Sequence, residues 1–126
     1  PGWAATPAPA RGDLILDVAR VLRSRGDELA RALSLEEGKI LPEAKGEVQK
    51  TLKYLEFAAG DARRINGITA ESELPGTFAF TIWRPHGVVG LITPWNFPLT
   101  LMGTKLGPSC IRGWSLFDIP PGCAAQ

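Results

Sequence analysis

Residues 94–98 read Pro-Trp-Asn-Phe-Pro and set one polar side chain between two aromatic residues and two prolines. The carboxamide of Asn96 is a neutral donor that keeps its protons at any working pH, which suits an oxygen that becomes negative during a reaction. Each proline fixes its own φ and restricts the residue before it, so the loop has few conformations to lose. Asparagine is also a common turn residue, so Asn96 could instead only close the turn. The five residues alone leave both interpretations open.

Few other residues outside this loop could carry chemistry. Two cysteines, Cys110 and Cys123, and one histidine, His86, do not have the spacing of a zinc site, so we expect no metal. The cysteines could pair, but two thiols in a reducing cytoplasm are the simpler interpretation. Lys105 lies near the end of a predicted helix, where the helix dipole favours a basic residue.

The elements around the loop indicate how it is positioned. Residues 88–92 form an apolar run without alternation, which predicts a strand buried on both faces. A stiff loop at the carboxyl end of such a strand is where α/β proteins place ligands. Residues 99–106 predict a buried helix that ends at Gly107-Pro108. Residues 77–84 alternate and predict a half-buried strand, which residues 85–87 join to the next strand as a hairpin.

The first half of the chain predicts helices. After an extended lead-in over residues 1–10, helices are expected from residue 11, over residues 28–37 and from residue 42 to about residue 64, with Asp27 as an N-cap. One apolar stripe runs along the longest helix through Val48, Leu52, Leu55, Ala59 and Ala62. Its charged residues are assigned to a solvated face: Glu43, Lys45, Glu47, Lys50, Lys53, Arg63 and Arg64.

Composition excludes some classes of partner. The chain has 126 residues, 44% hydrophobic and 21% charged, which is ordinary for one soluble domain. A net charge of +1 gives no reason to expect nucleic acid or an anionic membrane. No apolar run is long enough to span a bilayer and no signal-peptide pattern is present, so a cytoplasmic location is expected.

The stretch from Arg84 to Pro98, above all its Pro-Trp-Asn-Phe-Pro end, resembles the NAD(P)-dependent aldehyde dehydrogenase superfamily. Segments at residues 3–7, 11–16, 36–39 and 43–48 fit the same resemblance. It implies an α/β fold: an N-terminal helical layer, a β-hairpin and the first strand of a doubly wound cofactor-binding domain, which is incomplete here. Semialdehyde-oxidising members are the most similar.

The resemblance also implies roles for individual residues. Asn96 corresponds to the donor that stabilises the oxyanion, and Lys105 to a lysine that assists proton movement. The cofactor, NAD or NADP, is expected to contact Ile92, Thr93, Pro94, Trp95 and Asn96. The implied substrate is a small aldehyde, and the implied parent enzyme is a homo-oligomer whose subunits associate partly through the hairpin region.

Several parts of the family's machinery do not occur in this sequence. A nucleophilic cysteine in a Gly-Gln-x-Cys context, a general-base glutamate and a Gly-x-Thr-x-x-Gly cofactor turn are all missing. No second strand followed by Lys-Pro is predicted after Pro108. We therefore divide the chain into residues 1–108, a partial family domain, and residues 109–126, a divergent tail.

Three interpretations follow from these missing parts. The chain is a portion of an aldehyde-oxidising enzyme that does not catalyse alone, a non-catalytic fragment that docks on full-length subunits through residues 77–84, or a stand-alone helical module. Exposure of large apolar residues predicts marginal stability or partial disorder for the isolated chain.

Overall fold

The computed structural model describes residues 2–119. Within that range four helices are followed by three strands, a fifth helix and a fourth strand. The helices are α1 (Gly2–Ala5), α2 (Ala8–Ser24), α3 (Gly26–Glu37), α4 (Leu41–Asp61) and α5 (Pro98–Ile111). The strands are β1 (Thr69–Glu71), β2 (Phe78–Phe80), β3 (Val88–Ile92) and β4 (Ser115–Ile119).

Helix α4 lies at the centre of the helical layer and packs against α2, α3 and α5. The predicted stripe is confirmed, because each of its five residues is at most 6% exposed. Apolar residues of the three neighbouring helices complete the core: Ile15, Ala19, Ala30, Leu33 and Ile111. Burial of each large aliphatic side chain contributes about 1.5 to 3 kcal/mol, so this core holds the layer together.

Two glycines set the distance between α4 and α5. A Cβ atom at Gly107 would lie 2.7 Å from the Cβ of Ala58, and one at Gly103 would lie 2.9 Å from the Cγ2 of Thr51. No real side chain tolerates such distances, so a larger residue at either position would separate the helices. The predicted end of α5 at Gly107-Pro108 is wrong, because Gly107 serves this contact and Pro108 lies inside the helix, which ends at Ile111.

The helix boundaries in the first half of the chain agree only partly with the predictions. Gly38 ends α3 with φ of 77°, as expected for a glycine C-cap. The predicted extended lead-in is wrong: α1 forms, and α2 begins directly after Pro7 because a helix tolerates proline at its start. Asp27 is not an N-cap, since α3 already begins at Gly26. Its carboxylate pairs instead with the Nζ of Lys45 at 2.8 Å.

The antiparallel hairpin joins β1 to β2, with Thr69 opposite Phe80 and Glu71 opposite Phe78. The predicted strand over residues 77–84 is therefore too long, and its predicted partner is wrong. The reason is local: a turn at Pro75-Gly76, with Gly76 at φ of 73°, folds the chain back on β1. Residues 81–87 then run without ladder pairing to β3, and Pro85 among them has no N–H to donate.

Strand β3 pairs in parallel with β4, in a register that sets Val88 opposite Ser115 and Ile92 opposite Ile119. The prediction that no second strand with a following Lys-Pro pair occurs after Pro108 is wrong as to the strand, although no Lys-Pro pair follows β4 in the sequence. Strand β3, helix α5 and strand β4 form a β-α-β unit. The predicted burial of β3 on both faces is also wrong for this chain: Leu91 is buried, but Val88 is 75% and Ile92 52% exposed. Parallel strands are buried by helices on both faces, and this sheet has only two strands among residues 2–119.

Arg11 fixes the passage from α5 to β4. Its Nε and Nη2 atoms donate to the carbonyl oxygen of Ile111 at 3.1 and 2.6 Å. Gly113 follows with φ of 81°, a value that a residue with a Cβ rarely adopts. The division of the chain at residues 108 and 109 stays a prediction, although α5 extends across it and β4 lies within the second part.

Candidate active site

Asn96 lies in the loop between β3 and α5, at the carboxyl end of β3. Trp95 and Asn96 form a turn, and Phe97 with φ of −148° precedes the first residue of α5. The side chain of Asn96 is exposed, and within residues 2–119 its carboxamide has no hydrogen-bond partner. This geometry leaves both N–H groups of the carboxamide available to a ligand.

The main chain of the same loop is held from the segment that follows α3. The Nζ atom of Lys39 donates to the carbonyl oxygen of Asn96 at 3.2 Å. The same ammonium group lies 4.6 Å from the ring centroid of Phe97, within the range of a cation–π contact. Lys39 is itself fixed, because its carbonyl oxygen accepts a hydrogen bond from the Ser34 hydroxyl at 2.6 Å.

The amino end of α5 is held from α4. One oxygen of the Glu47 carboxylate accepts from the backbone N–H groups of Leu99 at 3.0 Å and Thr100 at 3.1 Å. These are first-turn donors that α5 leaves without a side-chain cap of its own. The assignment of Glu47 to a solvated face is wrong, since the residue is only 3% exposed. Glu47 lies four residues before Thr51 and eight before Leu55, on the buried stripe, and that spacing was the available signal.

Three charged groups meet beside this loop. The Nζ of Lys39 donates to the second oxygen of Glu47 and lies 2.7 Å from a carboxylate oxygen of Glu37. The contact with Glu37 is an ion pair without hydrogen-bond alignment. Burial favours the neutral amine, but the two carboxylates outweigh it and raise the pKa of Lys39 above its usual value. Sequence reasoning did not find Lys39 or Glu37 as part of this site.

The predicted cofactor-binding residues lie together along the end of β3 and the loop. Ile92, Pro94 and Trp95 are exposed and offer an apolar surface. Thr93 is only 4% exposed, so a ligand would reach its main chain rather than its side chain. The structure thus brings these residues next to Asn96, and their contact with a cofactor stays a prediction.

Lys105 lies on α5 and points back to the end of β3. Its Nζ atom donates to the carbonyl oxygen of Ile92. The residue is exposed, so the ammonium is bound on one side and open to solvent on the other. Lys105 and Asn96 therefore flank the same strand end, one from the helix and one from the loop.

A cleft of about 480 Å³ opens between the loop and helices α3 and α4. Trp95, Asn96, Phe97, Lys39 and Glu47 are among the residues that line it. A cleft of similar size, about 500 Å³, lies between Phe57, Trp83 and Arg112 and contains none of the candidate residues. We assign the candidate active site to the first cleft because the exposed carboxamide lies there.

Two other residues singled out in the sequence, Cys110 and His86, lie within the described part of the chain. Burial raises the pKa of the Cys110 thiol, an effect that the nearby Arg11 charge partly offsets, so this cysteine is a poor nucleophile. His86 packs against Trp114 with ring centroids 5.0 Å apart. Cys123 lies outside the described residues.

Over residues 2–119, no three metal-binding side chains converge, and no helix there has both the length and the apolar character that crossing a membrane requires.

Comparison with known families agrees with this arrangement. The family model for the aldehyde dehydrogenase family matches residues 1–116. The chain belongs to the aldehyde dehydrogenase family, and its fold is an incomplete α/β portion of that family's structure.

Two relatives give the similarity in sequence. Aldehyde dehydrogenase family 7 member A1 of Brassica napus is 46% identical over 101 residues, which cover 80% of this chain and 20% of that protein. Alpha-aminoadipic semialdehyde dehydrogenase of Rattus norvegicus is 42% identical over 111 residues, which cover 88% of this chain and 21% of the relative. The chain therefore spans about a fifth of the length of these relatives.

Two solved structures give the similarity in fold. An NADP-dependent enzyme of E. coli superposes with a TM-score of 0.90 at 34% identity, covering 94% of this chain and 24% of that one. Betaine aldehyde dehydrogenase of Staphylococcus aureus in complex with NAD+ superposes with a TM-score of 0.90 at 31% identity, with the same coverage. Nearly the whole chain thus superposes on about a quarter of each of these longer structures.

Proposed function

We propose that this chain supplies the oxyanion-binding loop and the first cofactor-contacting strand of an enzyme that oxidises an aldehyde to a carboxylic acid with NAD or NADP. One observation carries the proposal. The Asn96 carboxamide is exposed and without a partner among residues 2–119, while Lys39 holds the carbonyl oxygen of Asn96 and Glu47 holds the N–H groups of Leu99 and Thr100 after it. A free donor on a fixed loop is the arrangement that oxyanion stabilisation needs.

The role of Asn96 follows from its chemistry. When a nucleophile adds to an aldehyde, the carbonyl oxygen gains negative charge, and an amide N–H donates more strongly to that oxygen than to the neutral carbonyl. Because the loop is already fixed, the donor does not have to reorganise during the reaction. Removal of one such donor typically costs about 2.7 to 4 kcal/mol of barrier.

The exposed residues at the end of β3 fit a dinucleotide cofactor. Ile92, Pro94 and Trp95 offer apolar surface, and the carboxyl edge of a parallel pair is where α/β folds bind such ligands. When bound, NAD or NADP accepts the hydride from the substrate. The residues of this chain bind and orient the cofactor, and Thr93 does so through its main chain because its side chain is buried.

Lys105 is proposed to hold the strand end and to hold a proton near the site. Its ammonium group donates to the carbonyl oxygen of Ile92 and keeps one face open to solvent. A lysine in this position can pass a proton between solvent and the site without moving its backbone.

The catalytic cysteine and the general base are not in this sequence, so we propose that the chain by itself is inactive. Among its relatives is a protein named as an alpha-aminoadipic semialdehyde dehydrogenase, which supports a semialdehyde as the substrate class. A homo-oligomeric parent enzyme and a cytoplasmic location stay predictions.

A specific observation supports a second candidate function, a fragment that docks on full-length subunits. The β1–β2 hairpin and the segment after it expose four large apolar side chains: Phe78 at 72%, Phe80 at 60%, Ile82 at 57% and Trp83 at 63%. Side chains of this size are exposed in a row only where another surface is expected to cover them. In this alternative Asn96 has no catalytic role in the chain.

A chimeric enzyme tests the first proposal. The 111 aligned residues of this chain replace the corresponding segment of the rat alpha-aminoadipic semialdehyde dehydrogenase. We expect aldehyde-dependent formation of NADH, and a decrease in kcat of about 10² to 10³-fold with Asn96→Ala. An active chimera whose kcat is unchanged by Asn96→Ala would contradict the role of this residue.

A further inference from the structure

We infer that Lys39 and Glu47 form an anchor that positions the Asn96 loop for catalysis. The inference rests on the proposed function, because a positioned donor matters only if Asn96 stabilises an oxyanion. The two residues, called here the loop anchor, come from the segment after α3 and from α4, and neither contacts the carboxamide of Asn96. They are positioning residues that act through the main chain of the loop.

The first half of the anchor fixes the chain after Asn96. Glu47 accepts from the N–H groups of Leu99 and Thr100, so its carboxylate does for α5 what an N-cap side chain does within a helix. Its negative charge also lies at the positive end of the helix dipole. Since Glu47 is 3% exposed, water cannot replace it at these donors.

The second half fixes Asn96 itself. The ammonium of Lys39 donates to the Asn96 carbonyl oxygen and covers the ring of Phe97, so the two residues at the loop tip are held from one point. Lys39 also pairs with Glu47, which links the two halves. The carbonyl oxygen of Asn96 and the N–H of Leu99, three residues later, are thus fixed by two side chains that form an ion pair with each other.

This arrangement differs from a scaffold ion pair. A scaffold pair would join two helices, whereas each half of the anchor ends on a main-chain atom of the loop or of the helix that follows it. Displacement of a catalytic group by about 1 Å can cost about 10²-fold in rate, so loss of the anchor should lower kcat more than it raises KM.

The direct test is NMR spectroscopy of the full 126-residue chain with ¹⁵N labelling. With Glu47→Gln, we expect the backbone amide protons of Leu99 and Thr100 to move upfield, because a charge-assisted acceptor becomes neutral. The side-chain amide signals of Asn96 should broaden or shift in the same variant. The matched control is Glu36→Gln, an exposed glutamate of α3 outside this cleft, and it should leave all of these signals in place.

Lys39 provides a second variant that keeps the cap of α5. In Lys39→Met the amide signals of Leu99 and Thr100 should change little, whereas those of Asn96 and Phe97 should change strongly, and Lys39→Arg should restore most of the original positions. Lys53→Met, an exposed lysine of α4, is the control. If neither anchor variant alters the Asn96 or Phe97 signals while the chain stays folded, the inference is wrong.

The same substitutions in the chimera separate positioning from binding. We expect Glu47→Gln and Lys39→Met to lower kcat by about 10 to 100-fold with less than threefold change in KM, and Lys39→Arg to recover most of the loss. An unchanged kcat in both variants, or a change in KM alone, would overturn the inference. Failure of Asn96→Ala to affect an active chimera would instead overturn the proposed function, and the NMR result would still report on the anchor.

Discussion

The loop that carries Asn96 and the β1–β2 hairpin both expose aromatic side chains, yet their main chains are held in different ways. The loop is fixed by two charged groups, the half-buried Lys39 of the segment after α3 and the buried Glu47 of α4. Among the described residues, the two strands of the hairpin pair only with each other, over three residues each, and the ring centroids of Phe78 and Phe80 lie 5.7 Å apart. We therefore propose a ligand site at the fixed loop, and only as the alternative function a surface for another chain at the hairpin.

The largest loss of stability should follow from removal of the Glu47 side chain. Glu47→Ala removes the buried one of the two carboxylates that pair with the half-buried Lys39 and leaves two helix donors uncapped, so the free energy of unfolding should fall by about 3 to 5 kcal/mol. Urea denaturation followed by circular dichroism measures this change. Glu36→Ala on the exposed face of α3 should change stability by less than about 0.5 kcal/mol. If both substitutions lowered the free energy of unfolding equally, Glu47 would not fix the loop any more than an exposed glutamate does.

A smaller loss of stability is expected from a substitution at the contact between α5 and α4. Gly107→Ala introduces a methyl group 2.7 Å from the Cβ of Ala58, and overpacking of this kind costs about 1 to 3 kcal/mol. Gly46→Ala in α4, where a Cβ meets no atom within 4 Å, is the control and should not destabilise the chain. A Gly107→Ala variant as stable as the original would mean that the helices are not in close contact behind the loop.

The pH dependence of stability tests the charges of the anchor. The two carboxylates raise the pKa of Lys39 above its ordinary value of about 10.4. Because the folded-state value is the higher one, this contribution to stability is complete below the unfolded pKa and is lost as the pH rises through the folded pKa. Urea midpoints from pH 9 upward should therefore fall more steeply for the original chain than for Lys39→Met. Parallel curves would contradict the ion pairing.

The smallest effect on stability is expected in the hairpin. Phe80→Ser removes an aromatic ring that is 60% exposed, so the free energy of unfolding should change by less than about 0.5 kcal/mol. Self-association at high concentration, or binding to a full-length relative, should weaken. Sedimentation velocity measures both. A loss of several kcal/mol without any change in association would mean that the hairpin belongs to the core.

Much of the helical layer could be predicted from the sequence, because an apolar stripe such as that of α4 has one stable solution. The capping glycine Gly38 and the proline-flanked loop were also predictable, because glycine and proline determine the backbone conformation locally. Glu47 was not, since the expectation that a charged residue is solvated outweighed its spacing on the stripe. The burial of a carboxylate becomes favourable only when Lys39 and the amino end of α5 meet it, and the α5 donors lie 52 and 53 residues further along the sequence.

The strands were the least predictable part. The alternation of residues 77–84 describes a strand but not its partner, which the turn at Gly76 decides. Strand β4 was missed because the expectation of a particular Lys-Pro pair after it was stronger than the apolar pattern of residues 115–119. The apolar run of β3 predicts burial on both faces, and the described residues supply cover for little more than Leu91.

Backbone order parameters from ¹⁵N relaxation of the full chain test the central claim most directly. We expect values of about 0.85 for Asn96 and Phe97, as in α4, and values below about 0.6 for Phe78 and Phe80 in the hairpin. The partial disorder expected for the isolated chain would then lie in the hairpin. Values below about 0.6 at Asn96 and Phe97 in an otherwise ordered helical layer would contradict the claim that this loop is held ready to donate a hydrogen bond.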